Sequence, residues 1–193
     1  INDENERLVW RGWNGVREQQ RRLYEEIDGL HTISAVSAAI DDLLHVGGAD
    51  LARLGREAAE VMYRMIYQSD GPAPLDGSRC LLPPQCAGHV ICTDPLTGGG
   101  IVEVRYTNLH GNRLEAGSRP TGFRLLAEDK YDSPQLIFDV RLKGDTACLR
   151  IDPRLRPGDL QGMVLYYGHG TDPYCNITDA AGRSIPAMGP VIL

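Results

Sequence analysis

The stretch "AIDDLLH", residues 39–45, closes an apolar run with two acids and sets His45 three positions after Asp42. A carboxylate at that spacing on a tight loop can accept a hydrogen bond from Nδ1 of the ring. That bond fixes the tautomer and leaves Nε2 free to take a proton from a serine hydroxyl. The same carboxylate stabilises the imidazolium formed in the transition state. With sixteen Asp and five His in the chain, composition alone yields this spacing about 0.4 times. A solvated loop or a capping arrangement is therefore the competing reading, and the pair gains meaning only from the elements that place it.

Those elements divide the chain in two. From Glu4 to Ile27 the charged sequence with Leu8, Val16 and Leu23 as apolar markers predicts an amphipathic helix interrupted between Gly12 and Gly15. "HTISAVSAAI", rich in β-branched and small residues, predicts a buried strand of the kind found inside parallel sheets. Asp50 is expected to cap a helix over "LARLGREAAEVMYRMIY", whose apolar residues recur at helical spacing until "SDGPAP". Helix, strand, loop, helix is the rhythm of a doubly wound α/β sheet, and Asp42 and His45 fall beyond the carboxyl end of its strand, where functional groups gather. One strand makes no sheet, so the remaining strands are expected from elsewhere.

Residues 69–87 read as a linker, after which short runs such as "IVEVRYT", "QLIFDVRL", "TACLRI" and "GMVLYYG" alternate with glycine-rich turns. About seven strands over residues 88–193 predict an antiparallel β-sandwich. The expected division is an α/β part over 1–68, a linker over 69–87 and a β-domain over 88–193.

The totals narrow the function. A formal charge of −6 without a concentrated basic patch argues against nucleic acid as a partner. No apolar run reaches the length of a membrane span, and the charged start "INDENERL" does not read as a secretory signal. That start lacks Met, as expected of a processed chain or of part of a longer protein. Cys80, Cys86, Cys92, Cys148 and Cys175 fit neither a CxxC pair nor a zinc knuckle, so no metal is expected. An even subset could form disulfides. With the "NIT" sequon at Asn176 they lean towards an oxidising compartment: secreted, periplasmic or lysosomal in type.

"IDDLLHVGGADLARLGREAAEVMY" resembles the last block of the SGNH (GDSL-type) hydrolases, an Asp-x-x-His loop followed by a turn and a helix. Trp13 and "REQQ" at Arg17 to Gln20 are similar to the helix before that block in sialate O-acetylesterase-like carbohydrate esterases. "RPTGFRLLAED" and "VLYYGHGTDPYCNITDAAGRSIPA" look like that family's β-domain, although Gly168 and His169 stand near its usual Trp and Ile185-Pro186 replaces Leu-Pro. The resemblance implies the C-terminal portion of a doubly wound SGNH sheet followed by a β-sandwich. It implies a cofactor-free serine esterase acting on O-acetylated carbohydrate, with His45 and Asp42 as base and orienting acid.

The family's Gly-x-Ser nucleophile and its oxyanion-hole Gly and Asn are not found. "GSR" at Gly77 and "GRS" at Gly182 lack the strand-turn-helix setting a nucleophile needs. A base without a hydroxyl or oxyanion donors forfeits most of the rate enhancement. The expected partner is a chain carrying the N-terminal SGNH part, the serine and the oxyanion hole. A noncatalytic carbohydrate-binding or interaction subunit is the alternative. His31 reads as a surface or capping residue and His89, His110 and His169 as structural or exposed. The tyrosines at 166, 167 and 174, with Trp10 and Trp13, could stack on sugar faces but read as residues that fill the core.

Overall fold

The structure, a computed structural model, describes residues 3–42, 45–67, 81–127 and 134–193, with the backbone alone for residues 3–10. Among the described residues two α-helices come first, α1 (Asp3–Glu26) and α2 (Gly48–Tyr67), and nine strands follow: β1 (Gln85–Thr93), β2 (Gly100–Thr107), β3 (Leu114–Ala116), β4 (Phe123–Leu126), β5 (Ile137–Lys143), β6 (Thr146–Ile151), β7 (Val164–Tyr167), β8 (Ile177–Asp179) and β9 (Met188–Ile192). They pair antiparallel in three sheets ordered β1-β2-β6-β5, β4-β7-β9 and β3-β8. The molecule is a sheet-rich, mixed fold.

Period-2 patterning builds the core. Val102, Val104 and Tyr106 of β2 and Ala147, Leu149 and Ile151 of β6 are buried, and Val102 lies opposite Leu149 in the register. Phe123 and Leu125 of β4, Leu165 and Tyr167 of β7 and Met188 of β9 belong to the same apolar cluster. The four- and three-stranded sheets thus share one core. Gly144, at φ +59, sits in the two-residue turn between Lys143 and Thr146, where a left-handed backbone suits a tight hairpin.

All seven expected β-runs are strands, and β1 begins at Gln85, inside the segment read as linker. Residues 69–80 of that segment lie outside the described residues. The short strands β3 and β8 carry too few residues for a pattern and went unanticipated.

The first part of the chain departs from expectation at three points. Helix α1 runs unbroken through Gly12 and Gly15. Each glycine costs a helix interior only about 1 kcal/mol, and tertiary bonds offset this. Arg17 donates to the carbonyls of Gly168, Gly170 and Thr171, and Glu18 accepts from Gly189 N–H at 3.0 Å while pairing with Arg21. Second, "HTISAVSAAI" forms no strand: it runs as half-buried irregular backbone ending in an isolated bridge between Ile40 and Val46. A strand needs a neighbour for its backbone groups, and none of the described strands pairs with it. Third, α2 begins at Gly48, so Asp50 lies within its first turn, and its carboxylate accepts from Ala39 N–H and Arg53 Nε–H rather than capping the helix.

Candidate functional site

Residues 39–42 and 45–47 form the two arms of a small hairpin. Gly47 N–H donates to Ala39 O and Asp41 N–H to His45 O, both at 2.9 Å, around the Ile40–Val46 bridge. Asp42 meets His45 through both carboxylate oxygens: Oδ1 accepts His45 N–H at 2.8 Å and Oδ2 meets His45 Nδ1 at 2.7 Å. An ionised carboxylate can only accept, so in the neutral ring this contact places the proton on Nδ1 and the lone pair on Nε2. The imidazole is 78% exposed and the Asp42 side chain 56%, so Nε2 is open to a group arriving from outside.

None of the described serines hydrogen-bonds to that nitrogen. Ser34 Oγ is the acceptor for Val36 N–H, Ser118 Oγ accepts from Asn176, and Ser37 is hydrogen-bonded to the buried Ser184. Ser184 is the serine of "GRS", and its burial removes it as a nucleophile. Ser78 of "GSR" lies outside the described residues.

Two ties fix the hairpin's base. Asp50 Oδ2 holds Ala39 N–H at 2.9 Å, and the Ala39 N–H and then Arg53 keep the Asp50 carboxyl below its ordinary range. Arg53 Nη1 reaches the carbonyl of Gly182, in the turn after β8, at 3.2 Å. The β-domain therefore grips the segment that carries the candidate base. Deeper in the same contact, Glu57 is 3% exposed and burial pushes its carboxyl up to about 7, against the opposing pull of Arg183 and Arg53. Neither of its oxygens has a hydrogen-bond donor, and Arg53 Nη1 is 3.9 Å from Oε2. Sequence pattern gave no sign of this cluster, because Arg53, Glu57 and Glu60 read as the polar face of an amphipathic helix.

Residues 31–40 also line an open cleft of about 760 Å³, together with Trp13, Arg17, Tyr24, Asp172 and Tyr174. Trp13 and Tyr174, expected in the core, are exposed there instead, whereas Tyr166 and Tyr167 belong to the core, as expected. Burial lowers the pKa of His31. His110 Nε2 is 2.7 Å from Glu60, His89 lies on β1, and His169 packs edge-on against Tyr166.

Cys86, Cys92, Cys148 and Cys175 are free thiols, so no disulfide forms among the described residues. The Asn176 amide is fully used: Nδ2 donates to Ser118 Oγ and Arg119 O, and Oδ1 accepts from Thr121 N–H. That occupancy weighs against a glycan on the sequon. Among the described residues no His, Cys, Asp and Glu cluster suits a metal ion, and no helix is long and apolar enough to cross a membrane. No family model, no curated protein and no solved structure matches the chain.

Proposed function

We propose that this chain supplies the base and orienting acid of a serine esterase that removes O-acetyl groups from carbohydrates. The observation that carries this reading is the pairing of Asp42 with His45 Nδ1 at 2.7 Å beneath an outward-facing ring. In the proposed cycle, Nε2 of His45 takes the proton of a serine hydroxyl as that oxygen attacks the acetyl carbonyl. The proton passes to the departing sugar oxygen, leaving an acetyl-serine. Water, deprotonated by the same nitrogen, then releases acetate.

The serine and the oxyanion donors come, in this reading, from an SGNH-type polypeptide outside this chain, which carries the doubly wound sheet. Exposed apolar surface supports this: Leu51, Met62, Ile66 and Tyr67 on α2 are each more than half exposed, at 57, 60, 65 and 53%. The sequence resemblance to sialate O-acetylesterase-like enzymes supplies the substrate class.

The test begins with protein from its native source. Intact mass and a denaturing gel should reveal either a companion chain or a longer polypeptide bearing a Gly-x-Ser motif. In that assembly, His45→Ala should abolish hydrolysis of an O-acetylated sialoside. Undiminished turnover in the variant refutes the assignment. A second reading, a noncatalytic carbohydrate-binding module, has the exposed Trp13 and Tyr174 at the cleft in its favour, at 51 and 75%. It predicts glycan binding that Trp13→Ala weakens and His45→Ala leaves intact.

A further inference from the structure

We propose that Asp50 and Arg53 are positioning residues for His45, transmitting the placement of the β8–β9 turn at Gly182 to the imidazole. The functional weight of this inference rests on the reading of His45 as a base, but its geometry does not.

The connection is a series of directional bonds. Gly182 O accepts from Arg53 Nη1 at 3.2 Å, and Arg53 Nε donates to Asp50 Oδ1 at 2.8 Å. Asp50 Oδ2 accepts from Ala39 N–H at 2.9 Å. Ala39 opens the hairpin whose closing bonds, Gly47 N–H to Ala39 O and Asp41 N–H to His45 O, present the tip with Asp42 and His45. Asp50 thus uses one oxygen for the hairpin and the other for the guanidinium.

The far end of the series is rigid. Asp179 Oδ1 accepts from the N–H groups of both Ala181 and Arg183, Gly182 N–H donates to Asp179 O, and Arg183 is fully buried. At the near end both side chains of the dyad are exposed, and the bonds between Asp42 and His45 span only three positions of sequence. An exposed Asp–His pair on an unbraced loop exchanges its hydrogen bond for water readily. Bracing the hairpin base through charge-assisted bonds restricts that exchange. Arg53 suits this role because its planar fork holds a carboxylate and a carbonyl at once, which an ammonium does not do with the same geometry.

A helix-stabilising role for Asp50 would leave the state of the His45 ring untouched, so the ring is the readout. The chain is labelled with ring-¹⁵N histidine, and the His45 signals are assigned by their loss in His45→Gln. Long-range ¹H–¹⁵N spectra at pH 8 then measure the share of the Nδ1–H tautomer, with circular dichroism and urea unfolding confirming the fold. In the parent chain that tautomer dominates at His45. Asp50→Ala and Arg53→Ala each lower its share at least twofold, and Asp50→Asn, which keeps an acceptor for Ala39 N–H, falls between. Should either alanine variant fail to fold, Arg53→Lys keeps the charge beside Glu57, and the same twofold loss is expected. An unchanged tautomer share in the folded Asp50 and Arg53 variants overturns the proposal. Failure of the esterase reading would appear separately, as full ester turnover in His45→Ala with the tautomer coupling intact.

Discussion

Arg183 and Asp179 meet side chain to side chain at 2.9 Å in the interior, with both groups almost wholly removed from water. The guanidinium also donates to the carbonyls of Leu81, Leu82 and Asn108, while Asp179 accepts from His110 N–H. One ion pair therefore joins the entry to β1, the loop after β2 and the turn after β8. Removing the cation leaves a buried carboxylate without its counter-charge and three carbonyls without this donor, a loss of about 3–5 kcal/mol. Arg183→Ala should show this as a lowered urea midpoint with an unchanged slope. A loss below about 1 kcal/mol would mean that water replaces the guanidinium easily.

Glu57 gives the molecule a stability component that declines with rising pH. Burial raises its folded-state pKa to about 7 from an ordinary value of 4.5, so the folded chain keeps this proton where the unfolded chain has released it. Stability from this group is greatest below about pH 4.5. It falls as pH rises towards 7 and is level above that, with a total change of about 3 kcal/mol. Glu57→Gln cannot ionise and lacks this slope. Measured by urea unfolding, the variant should gain about 2 kcal/mol on the parent between pH 5 and pH 8. A constant difference across that range contradicts the argument.

The β-domain was legible in the sequence because its strands carry their own signal. Val102, Val104 and Tyr106 alternate with Glu103 and Arg105, and turns such as Lys143-Gly144-Asp145 punctuate them. The segment at 31–40 misled for the opposite reason. Its β-branched residues describe a preference, but a strand exists only where a neighbour completes the hydrogen bonds, and here Ser37 bonds sideways to Ser184 instead. Asp42 and His45 were legible as a pair because they stand three positions apart in the sequence. Their brace was not, because Arg53 and Gly182 lie 129 positions apart and neither residue type in isolation suggests the other.

The contact between Gly122, Tyr167 and Cys175 offers a probe of core packing. Gly122 has φ +117, and a Cβ there would lie 2.5 Å from Tyr167 Cε2 and 2.9 Å from Cys175 Sγ. Tyr167 cannot yield freely, since it stacks on Phe123 and its hydroxyl accepts Ile177 N–H at 3.1 Å. Gly122→Ala therefore carries both backbone strain and a clash, together about 2–4 kcal/mol. The thiol reports whether the strain opens the core. Burial pushes Cys175 up to about 12, so at pH 8 the reactive thiolate is on the order of one molecule in ten thousand. In the parent chain Cys175 should resist iodoacetamide until the protein unfolds. In Gly122→Ala its alkylation, followed by peptide mass analysis, should accelerate by tenfold or more as the site opens locally. Equal rates in the two proteins, with equal thermal midpoints, would show that the backbone at 122 accommodates a methyl group and that the packing here is looser than these distances imply.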